Sequence, residues 1–158
     1  MDVYRISKSR FVRDLSGEGP RLYGGRWNHK GTAVIYAATT RSLATLEYLV
    51  HVPLPYEPLH LSIATLVIPD DAGDEVVLAD ELPADWSSYP APTALADVGT
   101  DWVRRGESLI LRVPSALVPE EHNVIINPSH SEMARVTTKD VRAYAFDERL
   151  IQRKKREA

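Results

Sequence analysis

The sequence contains no cysteine among its 158 residues. This absence excludes disulfide scaffolds, cysteine-ligated zinc, iron–sulfur clusters and a thiolate nucleophile. Because a chain without cysteine needs no oxidising compartment to fold, we expect a cytoplasmic protein.

An excess of positive charge and long hydrophobic runs are lacking as well. With 19 Lys and Arg against 22 Asp and Glu, the formal net charge is −3, so no overall positive field attracts nucleic acid. The longest apolar stretch free of acidic and basic charge, residues 59–69 with His60 inside it, is far shorter than the roughly 20 residues that span a bilayer. The N-terminal residues lack the apolar centre of a signal peptide. We therefore expect a soluble protein with no membrane partner and no direct nucleic-acid partner.

The composition that is present fits one folded domain. Hydrophobic residues make up 44% and charged residues 26% of the chain, as in ordinary globular proteins, and the length suits a single unit of about 100–200 residues. We assign residues 1–151 to this domain. Residues 152–158, with the basic run RKKR, are expected to form a charged tail.

Short segments rich in β-branched residues and bounded by turn residues predict six strands. They are Val3–Ser7, Ala33–Ala38, Leu59–Ile68, Ser108–Val113, Asn123–Ile126 and Val141–Phe146. Their spacing lacks a regular strand–helix–strand period. The sequence therefore predicts an α+β fold with a mixed or antiparallel sheet of short strands and few helices.

One helix is clearly indicated at Ser42–His51. Ser42 is a suitable N-cap, Leu43, Leu46 and Val50 recur at helical spacing, and two prolines shortly afterwards end the helix. A second helical segment is expected at Ala94–Arg105, an ordered loop at Leu82–Pro92 and a tight turn at Pro114–Val118.

The glycine-rich segment Gly17–Gly31 is the first candidate for a binding site. Glycines leave backbone amides open to anionic oxygens, and the guanidinium of Arg26 offers a two-pronged fork for phosphate. The segment matches neither the P-loop nor the dinucleotide-binding glycine motif. The alternative is a glycine-rich turn with Arg26 in a surface salt bridge.

Glu47 is the second candidate, because helical spacing places it beside Leu43 and Val50 on the apolar side of the predicted helix. A buried carboxylate needs a charged partner or ligand hydroxyls to offset its desolvation. The alternative is a carboxylate at the edge of the apolar face that reaches water or an arginine. Glu47 and His51 are also four residues apart, but no third ligand accompanies them, so we expect no metal site.

Tyr36 lies on a predicted strand, where alternation places it on one face with Val34 and places Ile35 and Ala37 on the other. Its ring serves either as a stacking platform for a ligand or as part of the core.

Ser115 follows Pro114 at the end of another predicted strand. It either caps the turn or points its hydroxyl into a cleft, over which Ser129 and His130 are expected to close. No serine-hydrolase motif surrounds it.

The segments YGGRWNHKG, VIYAA and SLATLEYLV resemble the RES-domain family, and the similarity extends through YRIS, LRVPSA, NVIINPSH and FDERL. Of the residues that name this family, its Arg corresponds to Arg26 and its Glu to Glu47. Its Ser corresponds to Ser115, with Ser108 and Ser129 as rivals. The family's Tyr corresponds to Tyr36. The central residues 70–106 match only loosely.

The resemblance implies a fold similar to ADP-ribosyltransferases of the diphtheria-toxin type and NAD⁺ as substrate. It also implies the toxin half of a bacterial toxin–antitoxin pair, neutralised by an Xre-type antitoxin with a helix-turn-helix domain. The toxin would break the nicotinamide–ribose bond as an NAD⁺ glycohydrolase, a phosphorylase or an ADP-ribosyltransferase. The resemblance does not decide whether water, inorganic phosphate or a protein side chain accepts the ADP-ribosyl group.

The expected roles follow the chemistry of an oxocarbenium-like transition state. Arg26 clamps phosphate, Tyr36 stacks on nicotinamide or ribose, Glu47 stabilises the cation and Ser115 orients the nicotinamide–ribose end. Arg5, Gly25 and Asn28 are expected to add contacts to the dinucleotide. A non-catalytic nucleotide-binding regulatory module is the alternative, and a nuclease toxin is disfavoured by the acidic balance of the chain.

Overall fold

The computed structural model describes residues 1–53 and 57–151, in which seven strands form a single sheet. The strands are β1 (Asp2–Lys8), β2 (Ile35–Ala38), β3 (Leu61–Val67), β4 (Asp74–Val76), β5 (Ile110–Pro114), β6 (His122–Ile126) and β7 (Thr137–Tyr144). In the order β4-β5-β6-β2-β1-β3-β7, every neighbouring pair is antiparallel except the parallel pair β4 and β5. The predicted α+β class is confirmed.

All six predicted strands are present, with ends that differ by a few residues. The largest difference concerns β7, which begins at Thr137 and ends at Tyr144, so Phe146 lies beyond it and packs edge-on against the Tyr144 ring. The short strand β4 was not predicted. Its sequence, DEV, carries no hydrophobic alternation, and the strand exists through its backbone pairing with β5.

In the described part of the chain, four α-helices accompany the sheet: α1 (Glu18–Tyr23), α2 (Arg41–Leu49), α3 (Thr93–Arg105) and α4 (Glu148–Ile151). Helix α3 confirms the predicted second helix, whereas α1 inside the glycine-rich segment was not predicted. Pro20 is tolerated in α1 because it lies in the first turn, where a backbone N–H has no intrahelical acceptor. As predicted, residues 82–92 contain neither helix nor strand.

The predicted N-cap of α2 is wrong by two residues. Thr40, not Ser42, is the N-cap: its backbone is extended (φ −132°, ψ 156°) and its hydroxyl accepts a hydrogen bond from the Leu43 amide. The helix ends at Leu49 rather than at His51. Both residue types cap well, so the turn after β2 decided between them.

The predicted apolar face of α2 is confirmed at Leu43 but wrong at its other two positions. Leu46 and Val50 are 40% and 55% exposed, whereas Leu43 and Ala44 are buried. The spacing of Leu43, Leu46 and Val50 is helical, but the sheet underneath contacts a neighbouring stripe of the helix. Glu47 lies one turn after Leu43 and Ala44, at the edge of the buried face, and is half-buried.

Both faces of the sheet are covered. On one face, α2 packs over β1 and β2, and α3 packs over β2, β5 and β6. The opposite face buries a third cluster that includes Val3, Ile35 and Ile126. In residues 1–53 and 57–151, none of the helices combines the length and the apolar character that crossing a bilayer requires. The predicted tail, residues 152–158, lies outside the described residues.

Candidate functional site

A cavity of about 1410 Å³ opens beside the pairing of β1 with β2. These two strands share a single register pair, Tyr4 with Ala38, and then diverge, so residues of both strands line the cavity. The cavity brings together five of the predicted site residues: Arg5, Gly25, Arg26, Tyr36 and Glu47. A loop, two strands and a helix thus supply one site.

The remaining two predicted residues, Asn28 and Ser115, lie behind the cavity wall. They are 1% and 0% exposed, respectively, and neither belongs to the cavity lining. Each is hydrogen-bonded to a lining residue, Asn28 to Tyr36 and Ser115 to Glu47. Any effect that these two residues have on a ligand therefore passes through those partners.

Arg26 is held by the loop of residues 82–92. Its Nη1 donates to the carbonyls of Trp86 (2.8 Å) and Ser88 (3.1 Å), and its Nη2 also donates to the Ser88 carbonyl (3.1 Å). Among the described residues, these bonds leave the Nε–H and one Nη2–H without a partner. Those two donors lie on one edge of the guanidinium, the edge that can meet a phosphate with two parallel hydrogen bonds.

Tyr36 is anchored through its hydroxyl, which donates to Asn28 Oδ1 (2.7 Å) and accepts from the Trp27 amide (3.1 Å). Burial raises the pKa of the Tyr36 phenol far above its ordinary value, although the Trp27 hydrogen bond and the charge of Arg26 act in the opposite direction. The hydroxyl therefore stays protonated at neutral pH. The predicted alternation is confirmed, because Tyr36 and Val34 belong to the cluster under α3 while Ile35 and Ala37 face the opposite side.

The glycine-rich segment does not form the open amide cradle that the sequence suggested. The amide of Gly24 donates to the Pro20 carbonyl, that of Gly25 to Asn28, and that of Gly31 to Arg21. Gly25 is needed for close approach instead: a Cβ at this position would lie 2.6 Å from the Tyr36 hydroxyl oxygen. The segment thus positions Arg26 and Tyr36 rather than presenting its own backbone.

Arg5 lines the cavity but is committed to the backbone that follows β1. Its Nη1 donates to the carbonyls of Phe11, Val12 and Asp14 at 2.9–3.3 Å. Burial lowers the pKa of its guanidinium, which Asp14 partly offsets. The expected phosphate contact of Arg5 remains a prediction.

Glu47 is held by two donors that share one of its oxygens. The Ser115 hydroxyl donates to Oε1 at 2.8 Å and the Asn123 side-chain amide donates to the same oxygen at 2.6 Å. Both donors come from the ends of the antiparallel strands β5 and β6 that lie next to α2. Among the described residues, no arginine pairs with Glu47.

The two rival serines lie at the opposite end of these strands. The Ser108 hydroxyl accepts a hydrogen bond from the Trp102 indole and donates one to Glu75. Ser129 lies two residues after Asn127, whose backbone N–H donates to the Leu109 carbonyl. The four steps from Ile110 to Pro114 separate the two ends by about 13 Å. The expectation that Ser129 and His130 close over a cleft beside Ser115 is therefore wrong, because antiparallel pairing places them at the other end of β5 and β6.

Sequence reasoning missed two parts of the site. Asn123 was assigned only to a strand, although a polar side chain at the start of the apolar run NVII is the signal that could have identified it. The carbonyls of Trp86 and Ser88, which orient Arg26, have no signal in the sequence because every residue carries a carbonyl. Within residues 1–53 and 57–151, no three His, Asp or Glu side chains are grouped so that they could hold a metal ion.

Comparisons with known proteins agree on one family. The sequence model of the RES domain matches residues 2–147. The toxin Res of Yersinia enterocolitica (strain NCTC 13174 / 8081) is 39% identical over 152 residues, which cover 95% of this chain and 99% of the relative. The Prs ADP-ribosylating toxin of Sphingobium sp. (strain YBL2) is 38% identical over 142 residues, 89% of this chain and 88% of the relative.

A solved structure supports the fold. The crystal structure of the M. tuberculosis MbcT–MbcA toxin–antitoxin complex contains a chain that superposes with a TM-score of 0.70 at 16% sequence identity. The match covers 91% of this chain and 84% of the other. The arrangement of strands and helices is thus shared with a component of a toxin–antitoxin complex.

Proposed function

The chain belongs to the RES domain family, and we propose that it is the toxin of a bacterial toxin–antitoxin pair that consumes NAD⁺ by breaking the nicotinamide–ribose bond. One observation carries this proposal: Arg26, Tyr36 and Glu47 line a single cavity. Its volume of about 1410 Å³ exceeds the roughly 300–1,000 Å³ of an ordinary small-molecule pocket. A dinucleotide therefore has room in it.

Arg26 supplies the anion-binding part of the proposed reaction. The carbonyls of Trp86 and Ser88 fix one edge of its guanidinium. The Nε–Nη2 edge then faces the pyrophosphate of the bound dinucleotide in a set orientation. Orientation before binding reduces the entropy lost when the substrate is held near the reacting geometry.

Tyr36 supplies an aromatic face and no proton transfer. Its hydroxyl is occupied by Trp27 and Asn28 on the protein side, and burial keeps the pKa of the phenol high. The part of the side chain that remains for a ligand is the ring. We assign it to stacking on nicotinamide or the adjoining ribose.

Glu47 supplies the negative charge that the transition state needs. Breaking the bond to the cationic nicotinamide leaves positive charge on the ribose, which a fixed carboxylate stabilises more than it stabilises the ground state. Ser115 and Asn123 hold that carboxylate in place. The sequence predicts that Ser115 orients the nicotinamide–ribose end, and we propose that its buried hydroxyl acts there through Glu47.

The acceptor distinguishes three forms of the reaction. Water gives free ADP-ribose, inorganic phosphate gives a phosphorylated ADP-ribose, and a protein side chain gives a modified protein. The name of the Sphingobium relative, an ADP-ribosylating toxin, supports transfer to a protein. For regulation, we propose an Xre-type helix-turn-helix antitoxin as partner in the cytoplasm, supported by the toxin–antitoxin complex that shares the fold.

The proposal is tested by incubating the purified protein with NAD⁺ and measuring free nicotinamide and the ADP-ribosyl product. We expect turnover by the native protein and a loss of at least about 100-fold in kcat for Glu47→Gln, which removes the charge but keeps the shape. Glu120→Gln, an exposed carboxylate outside the cavity, is the matched control and should retain activity.

The other outcomes separate the alternatives. Tight binding of NAD⁺ by the native protein without nicotinamide release indicates the nucleotide-binding module, and degradation of RNA indicates a nuclease. Equal turnover by Glu47→Gln and the native protein would show that the carboxylate has no part in the chemistry.

A further inference from the structure

We propose that Asn123 is a positioning residue for Glu47: with Ser115 it fixes Oε1 of the carboxylate, so that Oε2 is the oxygen presented to the ribose. This inference rests on the proposed function and deepens it. Both donors bind Oε1, and among the described residues Oε2 has no partner. A carboxylate held by one oxygen keeps the other available for the charge that develops on the substrate.

The direction of the Ser115 hydrogen bond follows from its other contacts. Its oxygen accepts from the amides of Leu117 and Val118, both at 3.1 Å. A hydroxyl has two lone pairs and one proton, so with both lone pairs engaged the proton must point to Glu47 Oε1 at 2.8 Å. Ser115 is thereby a donor to the carboxylate, and it has no free lone pair with which to act as a nucleophile or base.

Asn123 is fixed from both sides by the sheet. Its backbone pairs with Ala38 of β2 and with Val113 of β5, so its Cβ cannot shift without disturbing two strand pairs. Its amide nitrogen lies 2.6 Å from Oε1, a short distance typical of hydrogen bonds to a charged group. The opposite rotation of the amide would place Oδ1 against the carboxylate, so the charge of Glu47 selects the orientation of Asn123.

The carboxylate and the two groups that hold it therefore come from different elements of the fold. Helix α2 carries the carboxylate, and Glu47 alone could rotate about its side-chain bonds. The ends of β5 and β6 supply two donors from 68 and 76 residues away in the chain, which restrict that rotation before substrate binds. Positioning of this kind should raise kcat, by stabilising the transition state, more than it lowers the KM for the substrate.

The experiment compares two near-isosteric variants, Asn123→Leu and Asn123→Asp, with Asn127→Leu as the matched control. Asn127 is a buried asparagine in the residue after β6, at the far end from Glu47. For Asn123→Leu we expect kcat for NAD⁺ cleavage to fall about 10- to 100-fold, the effect of one hydrogen bond to a charged group. The KM for NAD⁺ should change less than about threefold. Asn123→Asp should be more impaired, because it places a second carboxylate against the first. Asn127→Leu should keep the native kcat, even if it melts earlier.

Two further measurements separate positioning from general damage. In the Glu47→Gln background, Asn123→Leu should have little additional effect on kcat, since the carboxylate that it orients is absent. The infrared carboxylate band of Glu47 is assigned from the difference spectrum between the native protein and Glu47→Gln. This band should shift in Asn123→Leu, and its measurement does not require turnover.

The results distinguish the two proposals. If the native protein does not cleave NAD⁺ but the carboxylate band shifts in Asn123→Leu, the proposed function fails while the contact with Glu47 stands. If the native protein is active and Asn123→Leu matches it in kcat and in the carboxylate band, the positioning role is refuted. An equal loss of kcat in Asn123→Leu and Asn127→Leu, or an undiminished loss in the Glu47→Gln background, also overturns it.

Discussion

At the scale of single residues, Tyr36 links the glycine-rich segment to the sheet. Its hydroxyl bridges the Trp27 amide and Asn28 Oδ1, and Gly25 leaves the space that the hydroxyl occupies. Asn28 in turn donates from Nδ2 to the carbonyls of Pro20 and Thr32. A ring proposed to stack on the substrate is therefore held by bonds that also support the fold.

Tyr36→Phe should lower the free energy of unfolding by about 1–3 kcal/mol, because it leaves the buried Asn28 Oδ1 without its donor and the Trp27 amide without its acceptor. Denaturant unfolding measures this loss. Kinetically, kcat should change far less than in Glu47→Gln, since the ring face is retained. Unchanged stability would mean that these hydrogen bonds do not stabilise the protein.

The difference in free energy of unfolding between Tyr36→Phe and the native protein should also depend on pH. The pKa of Tyr36 is higher in the folded than in the unfolded chain, and below about pH 10 both states are protonated, so pH has no effect through this group. Above that pH the unfolded chain loses the proton first, and stability falls. Unfolding at pH 9 and pH 11 should show a smaller drop for Tyr36→Phe than for the native protein.

At the scale of elements, helix α2 carries Glu47 and depends on how the chain leaves β2. The Thr40 hydroxyl accepts from the Leu43 amide, whereas Ser42 lies within the first turn and is exposed. The buried side of the helix then runs through Leu43 and Ala44. The cap and the buried face together set the angle at which Glu47 reaches the cavity.

Thr40→Ala should destabilise the protein by about 1 kcal/mol, the usual loss for an N-cap hydroxyl. The matched variant Ser42→Ala should be neutral or slightly stabilising, because alanine has the higher helix propensity and no cap is lost. Thermal unfolding of the two variants provides the comparison. A larger effect at Ser42 than at Thr40 would contradict the observed start of α2.

At the scale of the whole molecule, the order of strands in the sheet assembles the site. Strand β2 lies between β1 and β6, so Tyr36 comes close both to the diverging end of β1 and to the strand that carries Asn123. Helix α3 packs against the glycine-rich segment that contains Arg26. The contact is very tight, since a Cβ on Gly99 would lie 1.8 Å from the Trp27 carbonyl oxygen.

Gly99→Ala should therefore lower the free energy of unfolding by about 1–3 kcal/mol or more, since α3 must move away from the Trp27 backbone. Gly19→Ala is the matched control within another helix: an added Cβ there meets no atom within 4 Å, and alanine favours helix. Chemical denaturation of both variants tests the contact. Equal stability of Gly99→Ala and the native protein would show that α3 does not press on Trp27.

The sequence by itself determined the α+β class, the six main strands and the candidates Arg26, Tyr36 and Glu47, because strand patterns and unusual polar residues are local signals. The tertiary structure alone decided which stripe of α2 is buried, which serine reaches Glu47, and that Asn123 joins it. Those outcomes depend on strand order and register, which bring together residues 68 and 76 positions apart. The tertiary structure also decided which backbone carbonyls orient Arg26. Every residue carries a carbonyl, and only the path of the loop places those of Trp86 and Ser88 within reach.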